Sequence, residues 1–349
     1  MNIEGNRPDE EPMAPSPIAS EEEDRRALNR FVQGGELRSL LPVALAGFLM
    51  YWAFRGVSWP KVIDAVRHLN IKMVAPGLLI SLFGYVLGDS LGYAAGFRWV
   101  VPNLRWPEAL RLRLAALLPQ SSLSFLAGVL SVSYLYRRHR VHPLISISSI
   151  MFVSFSEALL VSASLSLGFA LSPQPLNPAW LIYPVVVYFL LGFTLVTLKT
   201  PLRPRLERRF GQPRIFHAFR IAPIRRYGWA ALLRSPISVG QLLGGYWALR
   251  GMGLDVYGPV LLLAIPLTNI SALALSVGGF GGPQAVLLYF LAAYGPSEKI
   301  LAFSLLWSAT FTLGRAGVGL VFFPGIWKRL SAGAVIERGA SENRPEILA

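Results

Sequence analysis

The chain has 349 residues, 53% of them hydrophobic and only 15% charged, and its mean hydropathy of +0.48 excludes an ordinary soluble domain. Its net charge of +14 lies mostly in short segments between apolar runs, the positive-inside pattern of membrane proteins, which favours contact with anionic lipid over nucleic acid. The absence of cysteine excludes disulfides and thiolate metal sites, and the four histidines lack metal-ligand spacing, so we expect no metal or other cofactor.

The first part of the chain contains a polar tail and two predicted spans. Residues 1–36 are acidic and rich in proline and serine, a composition typical of a disordered tail. About Leu40–Trp59 and about Val74–Phe97 are predicted to cross the membrane, because each approaches the roughly 20 apolar residues that a bilayer core requires. Pro60–Lys72 between them is predicted to lie at the membrane interface.

The next apolar segment, Leu110–Tyr136, is predicted to form a re-entrant hairpin. A polar tip at Pro119–Ser124 interrupts it, and basic residues lie on both sides. The arginines between positions 98 and 113 alternate with tryptophan and are assigned to the headgroup interface, while Arg137–Arg140 follows the segment. A full crossing would place one basic cluster on the wrong side, and the arm after the tip covers only roughly 22 Å.

The middle of the chain alternates apolar and basic segments. Leu144–Leu171 is predicted to cross outward and about Ala179–Leu198 to return. Lys199–Arg234 is the most basic region, and we predict a cytoplasmic loop that lies on anionic lipid and is able to dock a partner enzyme. Pro236–Arg250 is predicted to be a short outward span.

A glycine-rich segment, Ser276–Gln284, is the most unusual feature of the sequence. Four glycines and a proline do not continue a lipid-facing helix, and irregular backbone at membrane depth requires a protein or water-filled environment. The flanking segments Tyr257–Val277 and Pro283–Tyr294 are predicted to form a second re-entrant hairpin, although the first of them is long enough to cross fully. Leu301–Phe323 then forms the last span.

Together these segments predict an all-α polytopic membrane protein with about six spanning helices and two opposed re-entrant helical hairpins. Such an arrangement resembles the inverted repeats of transporters. The predicted membrane domain covers residues 37–330, and residues 331–349 form a C-terminal tail. Both termini are predicted to be cytoplasmic, and the sequence leaves a homo-oligomer open.

Three charged residues lie inside predicted spans and are the first candidates for a binding site, namely Asp89, Glu157 and Arg315. A charge at a helix centre costs at least about 2.5–3.5 kcal/mol, so each requires a reason. One reason is a cluster that faces a lipid headgroup, in which Arg315 attracts phosphate and a carboxylate binds an amine or a proton. The other is an internal ion pair that holds the helices together.

Polar groups at the two hairpin tips are further candidates. Backbone N–H groups at the glycine tip would form an anion site at a helix start. The candidate residues of this site are Gly279, Gly281, Gly282 and Gln284. The alternative is that the glycines only permit close helix packing. Gln120, Ser121 and Ser122 would bind a headgroup or would instead satisfy backbone carbonyls near Pro119. Asn269 precedes the glycine tip and is a second-rank candidate.

Several of these motifs resemble those of one known family. They are Pro119 to Gly128, Tyr134 to Arg138 before a helix containing Glu157, and above all the run Gly-Gly-Phe-Gly-Gly-Pro-Gln-Ala at 278–285. The chain resembles the transmembrane region of the lysylphosphatidylglycerol synthase family over about residues 40–325. The resemblance implies a flippase-like integral membrane domain.

The chain departs from the family pattern at three charged positions. Pro283-Gln284 stands where the family usually has Arg-Glu, and Glu157-Ala158 where it has Glu-Arg. The family usually has a Gly-Glu pair after the proline of the first hairpin, whereas this chain has the run Gln120-Ser121-Ser122-Leu123-Ser124. Amides and hydroxyls thus replace much of the family's charge. We also expect no soluble aminoacyltransferase domain after the last span.

The sequence therefore predicts a protein that is not an enzyme and that translocates an anionic phospholipid or lipid-linked headgroup across the bacterial inner membrane. Two alternatives stay open. One is a secondary transporter for a small soluble anion, and the other is a non-transporting scaffold for a partner enzyme. No nucleotide-binding loop or catalytic triad is present in the sequence to support ATP-driven transport or hydrolysis.

Overall fold

The computed structural model describes residues 47–48, 51, 54–55, 57–172, 181–199, 214–274, 276–277 and 280–342, which are predominantly helical. The longer helices are α1 (Trp59–Arg67), α2 (Ile71–Val100), α3 (Trp106–Ser122), α4 (Ser124–His139), α5 (Pro143–Leu171), α6 (Ile182–Lys199), α7 (His217–Ile221), α8 (Ile224–Gly251), α9 (Gly258–Ala274), α10 (Gly282–Leu291) and α11 (Ser297–Glu342). Two short strands, β1 (Ser276–Val277) and β2 (Phe280–Gly281), pair antiparallel between α9 and α10. Most of the predicted first span lies outside the described residues.

Three helices in the described part of the chain are long and apolar enough to cross a membrane. They are α2, α5 and the Ser297–Ser331 part of α11. These three helices contain the predicted spans at Val74–Phe97, Leu144–Leu171 and Leu301–Phe323, so the prediction of an all-α membrane protein is confirmed. The total number of spans and the depth of the hairpins in the bilayer stay predictions.

Helix α8 corrects the predicted boundary between the basic loop and the following span. It begins at Ile224 and has 28 residues, or about 42 Å of helix, so the prediction of a loop to Arg234 and a span from Pro236 was wrong. Pro236 cannot donate to the carbonyl of Leu232, four residues earlier. The Ser235 hydroxyl donates to that carbonyl at 2.8 Å instead, and the helix continues through the proline.

The close contact between α2 and α8 depends on glycine. A Cβ atom on Gly244 would lie 2.1 Å from the Gly77 carbonyl oxygen and 2.2 Å from the Ser81 hydroxyl. Gly84 and Gly240 meet in the same way, with a Cβ of either residue 2.8 Å from the Cα of the other. We call the set Gly77, Gly84, Gly240 and Gly244 the glycine seam. Because it brings two backbones into contact, dispersion and weak polar contacts join these helices, as in other small-residue interfaces of membrane helices.

Helices α3 and α4 form the first predicted hairpin. Leu123, in extended conformation, separates them. At the open end of the hairpin, the Tyr134 hydroxyl donates to Glu108 at 2.6 Å and His139 Nε2 lies 3.2 Å from the same oxygen. Arg329, near the end of the apolar part of α11, lies 4.0 Å from that oxygen. Burial opposes the charge on Glu108, but these hydrogen bonds and the neighbouring positive groups outweigh it and hold the pKa of Glu108 below its ordinary value.

Helices α9 and α10 form the second hairpin, with the β1–β2 pair at its tip. Gly281 has a φ of 109°, which strongly favours glycine there. Its N–H group donates to the Gln284 side-chain oxygen at 2.6 Å, which caps the start of α10. The start of α10 is therefore held by a side-chain amide of its own first turn.

The helices fall into two halves in chain order, and each hairpin packs against a helix of the other half. One half is α2, the α3–α4 hairpin and α5, and the other is α8, the α9–α10 hairpin and α11. Helices α2 and α8 run antiparallel against each other, α3 packs against α11, and α9 packs against α5. Because each first arm packs on the last helix of the other half, the contacts match those of inverted repeats.

The hydrophobic core is divided into two main clusters along α2. Val74 and Leu78 belong to the cluster at one end of this helix, and Phe97 and Val101 to the cluster at the other. The polar side chains of α2 between residues 85 and 93 therefore lie between two apolar regions. The candidate site lies at this level.

Candidate functional site

A cavity of about 120 Å³ lies between the two hairpins and the long helices. Its volume admits several water molecules or a small polar group. The charged side chains that line it come from five helices: Asp89 on α2, Arg113 on α3, Glu157 on α5, Arg234 on α8 and Arg315 on α11. Charges from separate parts of the sequence thus meet in one place.

Asp89 and Arg113 form the most fully satisfied pair in this cluster. Asp89 is 1% exposed and Arg113 is 4% exposed. The Arg113 Nε donates to one carboxylate oxygen at 2.6 Å and its Nη2 to the other at 2.9 Å. Nη2 also donates to the Gln120 oxygen at 2.8 Å, and the guanidinium carbon lies 3.8 Å from the Tyr93 ring centroid. Arg113 is therefore committed to other protein groups.

Arg234 is only partly satisfied although it is 1% exposed. Its Nη2 donates to Glu157 and lies 3.8 Å from an Asp89 oxygen, and its guanidinium lies 5.0 Å from the Tyr93 ring. Its Nε and Nη1 atoms are buried and have no hydrogen-bond partner among the described residues. An unsatisfied buried donor costs about 1–3 kcal/mol, so Arg234 retains hydrogen-bonding capacity that the described protein groups do not use.

Arg315 adds a third positive charge on the α11 side. Its Nε donates to the Phe311 backbone carbonyl at 3.0 Å, and its guanidinium lies 5.7 Å from the Tyr85 ring. It forms no ion pair with a described residue. The described lining residues therefore include three arginines and two carboxylates, a formal excess of one positive charge.

Two other lining residues form a neutral, polar pair. Gln241 of α8 donates to the Asn269 oxygen at 3.2 Å, and Asn269 of α9 donates back to the Gln241 oxygen at 2.6 Å. Thr268, Trp307 and Phe311 also line the cavity. The pair joins α8 to α9 as the Asp89–Arg113 pair joins α2 to α3, so the two halves carry a neutral and a charged version of the same connection.

Most predicted site residues meet at this cavity. Those that line it are Asp89, Gln120, Ser122, Glu157, Asn269 and Arg315. Ser121 does not line it, and its hydroxyl donates to the Leu118 carbonyl at 2.6 Å, which is the backbone role that the sequence left open. Their role in binding stays a prediction.

The described part of the glycine tip meets the cavity at one residue only. Pro283 is a lining residue, whereas Gly281 and Gly282 are not. Gln284 is fully buried and donates to Ser308 at 3.0 Å. The Gly281 N–H already donates to the Gln284 side-chain oxygen, so this N–H is not available to the predicted anion site. Gly279 lies outside the described residues.

Sequence reasoning missed Arg113 and Arg234. Arg113 was assigned to the headgroup interface and Arg234 to the cytoplasmic loop, and both assignments were wrong because both side chains are buried in the charge cluster. A signal existed in the spacing. Arg113 precedes Gln120 by seven residues and Arg234 precedes Gln241 by seven, which places each pair on one helix face.

Residues 39–319 match the family described as the lysylphosphatidylglycerol synthase TM region. This range includes every described residue that lines the cavity. No curated protein and no solved structure matches the chain.

Proposed function

The chain belongs to the lysylphosphatidylglycerol synthase TM-region family, and we propose that it translocates an anionic phospholipid or lipid-linked headgroup across the bacterial inner membrane. Family membership supports a role connected with membrane lipids. The observation that carries the finer proposal is Arg234, a lining residue of a cavity with excess positive charge, whose guanidinium has two donors without partners among the described residues.

Phosphate is the chemical group that best fits this cavity. A phosphodiester carries one negative charge and accepts several hydrogen bonds, and charge-assisted bonds from arginine are about twice as strong as neutral ones. Arg234 and Arg315 line the same cavity from different helices. A phosphate between them would accept charge-assisted hydrogen bonds from arginine and balance the excess charge.

The lengths of the hairpin arms support a path for the headgroup. Arms α3, α4, α9 and α10 have 17, 16, 17 and 10 residues, or about 15–26 Å of helix, which is less than a bilayer core of about 30 Å. Re-entrant arms would bring both tips toward the midplane, where discontinuous helices form transporter sites. The headgroup would pass through the cavity while its acyl chains stay in lipid.

Orientation follows from charge. The basic residues at the open end of the first hairpin, Arg137 and Arg138, would lie on the cytoplasmic side, and we propose cytoplasmic termini on the same basis. We assign no catalytic step to the site, because transfer of the headgroup requires binding and release alone.

The proposal predicts protein-dependent transfer of lipid in reconstituted vesicles. Fluorescent phosphatidylglycerol should cross faster than phosphatidylcholine, and Arg315→Ala should lower the phosphatidylglycerol rate by about 10-fold or more, because a charge-assisted hydrogen bond contributes about 1.5–3 kcal/mol. A dithionite-quenching assay measures both rates. Lys328→Ala on the exposed surface of the same helix is the matched control.

Two outcomes would contradict the proposal. A normal rate in the Arg315→Ala variant would remove that residue from the site. Failure of the folded wild-type protein to transfer either lipid would exclude translocation of these lipids as its function. Uptake of a soluble organic phosphate by the same vesicles would then support the alternative, a secondary transporter.

A further inference from the structure

The carboxylates of the cavity are already paired. Asp89 uses both oxygens for Arg113, and Glu157 accepts from Arg234. The remaining charge of the described lining residues is positive. A headgroup with an ammonium group would thus meet like charge and a carboxylate that is committed to arginine, which disfavours its binding.

The amide pair, in contrast, retains hydrogen-bonding capacity. A side-chain amide has two N–H donors and an oxygen with two lone pairs. The reciprocal contact between Gln241 and Asn269 uses one donor and one lone pair of each residue. Each amide therefore keeps one donor and one acceptor site, the combination that a hydroxyl group, itself both donor and acceptor, can satisfy.

Aromatic rings complete the neutral wall. Trp307 and Phe311 both line the cavity, and their rings stack at 5.1 Å with an angle of 26°. Thr268 donates its hydroxyl to the Ile265 carbonyl at 2.6 Å and so presents an acceptor oxygen. Apolar ring surface in the same cavity as amides and a hydroxyl oxygen suits a group with both C–H and O–H bonds, such as glycerol or a sugar.

From these contacts we propose that the transported headgroup is a hydroxyl-bearing phosphodiester and not an amine. The phosphate binds at Arg234 and Arg315, and the hydroxyls of a polyol or sugar bind at Gln241 and Asn269. This inference rests on the proposed function and specifies its substrate class. It makes the amide pair the specificity element and the arginines the affinity element.

Three fluorescent lipids in the same vesicles test the inference. Phosphatidylglycerol and phosphatidylethanol carry the same charge, but only the first has headgroup hydroxyls, and phosphatidylethanolamine has an ammonium group. Phosphatidylglycerol should cross at least about 10-fold faster than phosphatidylethanol, because a neutral hydrogen bond contributes roughly five-fold and the wall offers two amides. Phosphatidylethanolamine should be the slowest.

A double variant links this preference to the amides. Gln241→Leu with Asn269→Leu replaces both partners with apolar groups of similar size, a change that is often tolerated in folding. The ratio of the phosphatidylglycerol rate to the phosphatidylethanol rate should fall close to one. Asn269→Ser, which replaces the amide with a hydroxyl that still donates and accepts, should give an intermediate ratio. If the double variant does not fold, the transfer rates of the three lipids by the wild-type protein still test whether the site prefers a hydroxyl.

Each contrary outcome has a distinct meaning. Equal wild-type rates for phosphatidylglycerol and phosphatidylethanol, or an unchanged ratio in the folded double variant, would overturn the hydroxyl site but leave translocation intact. Transfer of phosphatidylethanolamine at the phosphatidylglycerol rate would overturn the exclusion of amines. Uptake of radiolabelled glycerol phosphate without transfer of any lipid would overturn the proposed function. The phosphate bound in the cavity would then belong to a soluble molecule and not to a lipid.

Discussion

Replacing Arg234 with glutamine should reduce the transfer of anionic lipid by about 100-fold or more. The variant removes the two buried donors, Nε and Nη1, that lack partners among the described residues, and it removes the excess positive charge of the cavity. Two charge-assisted hydrogen bonds contribute at least about 3 kcal/mol, which corresponds to this factor. The initial rate of phosphatidylglycerol transfer in vesicles measures the effect.

The folding of this variant needs its own control, because Glu157 would lose its arginine. Breaking a buried ion pair from one side costs about 3 kcal/mol or more, although Glu157 retains 20% side-chain exposure, which reduces the cost. The double variant Arg234→Gln with Glu157→Gln removes both charges and should fold while still failing to transfer lipid. Transfer at the wild-type rate by this double variant would show that the guanidinium does not bind the substrate.

A matched control lies on the same helix. Arg250, near the end of α8, is 48% exposed in its side chain and lies 3.3 Å from Asp255 at the surface. Arg250→Gln removes an arginine without changing the cavity. Its transfer rate should equal that of the wild type, because exposed ion pairs contribute little.

Substitution of alanine for Gly244 should destabilise the protein by about 3 kcal/mol or more, at the upper end of the cost of overpacking. The added methyl group would lie 2.1 Å from the Gly77 carbonyl oxygen and 2.2 Å from the Ser81 hydroxyl. Backbone atoms cannot move aside as a flexible side chain does, so α2 and α8 would have to separate. Thermal unfolding in detergent, followed by circular dichroism, measures the loss.

Gly228 provides the comparison for this effect. It lies on α8 as well, but a Cβ atom there would have no neighbour within 4 Å. Gly228→Ala should leave the unfolding temperature unchanged or raise it, since alanine is favoured over glycine in a helix by up to about 1 kcal/mol. Equal unfolding temperatures for the two variants would show that the glycine seam is not a close contact.

The features that the sequence predicted best are those that depend on local composition. Hydrophobic length identified α2, α5 and α11, and the polar interruption at Pro119–Ser124 predicted the break between α3 and α4. Charged residues in apolar surroundings are rare enough that Asp89, Glu157 and Arg315 were recognised singly. Their convergence on one cavity could be expected because each had to avoid lipid.

The features that sequence reasoning missed depend on contacts between distant segments. Arginine near the end of an apolar run usually marks the cytoplasmic side, so the positive-inside rule placed Arg113 and Arg234 in the headgroup region. Nothing local to either residue reveals that Asp89 and Glu157 face them from other helices. Pro236 likewise suggested a helix start because the rescue of the Leu232 carbonyl by Ser235 is visible only in three dimensions.

The unequal number of arginines and carboxylates has an electrical consequence. An empty cavity with three arginines and two carboxylates carries one formal positive charge, whereas the same cavity with a phosphodiester is neutral. A membrane potential of 100 mV acts on a unit charge with about 2.3 kcal/mol when the charge crosses the full field. The potential would therefore act on the return of the empty site and not on the loaded one, a difference that transfer rates under an imposed potassium diffusion potential would register.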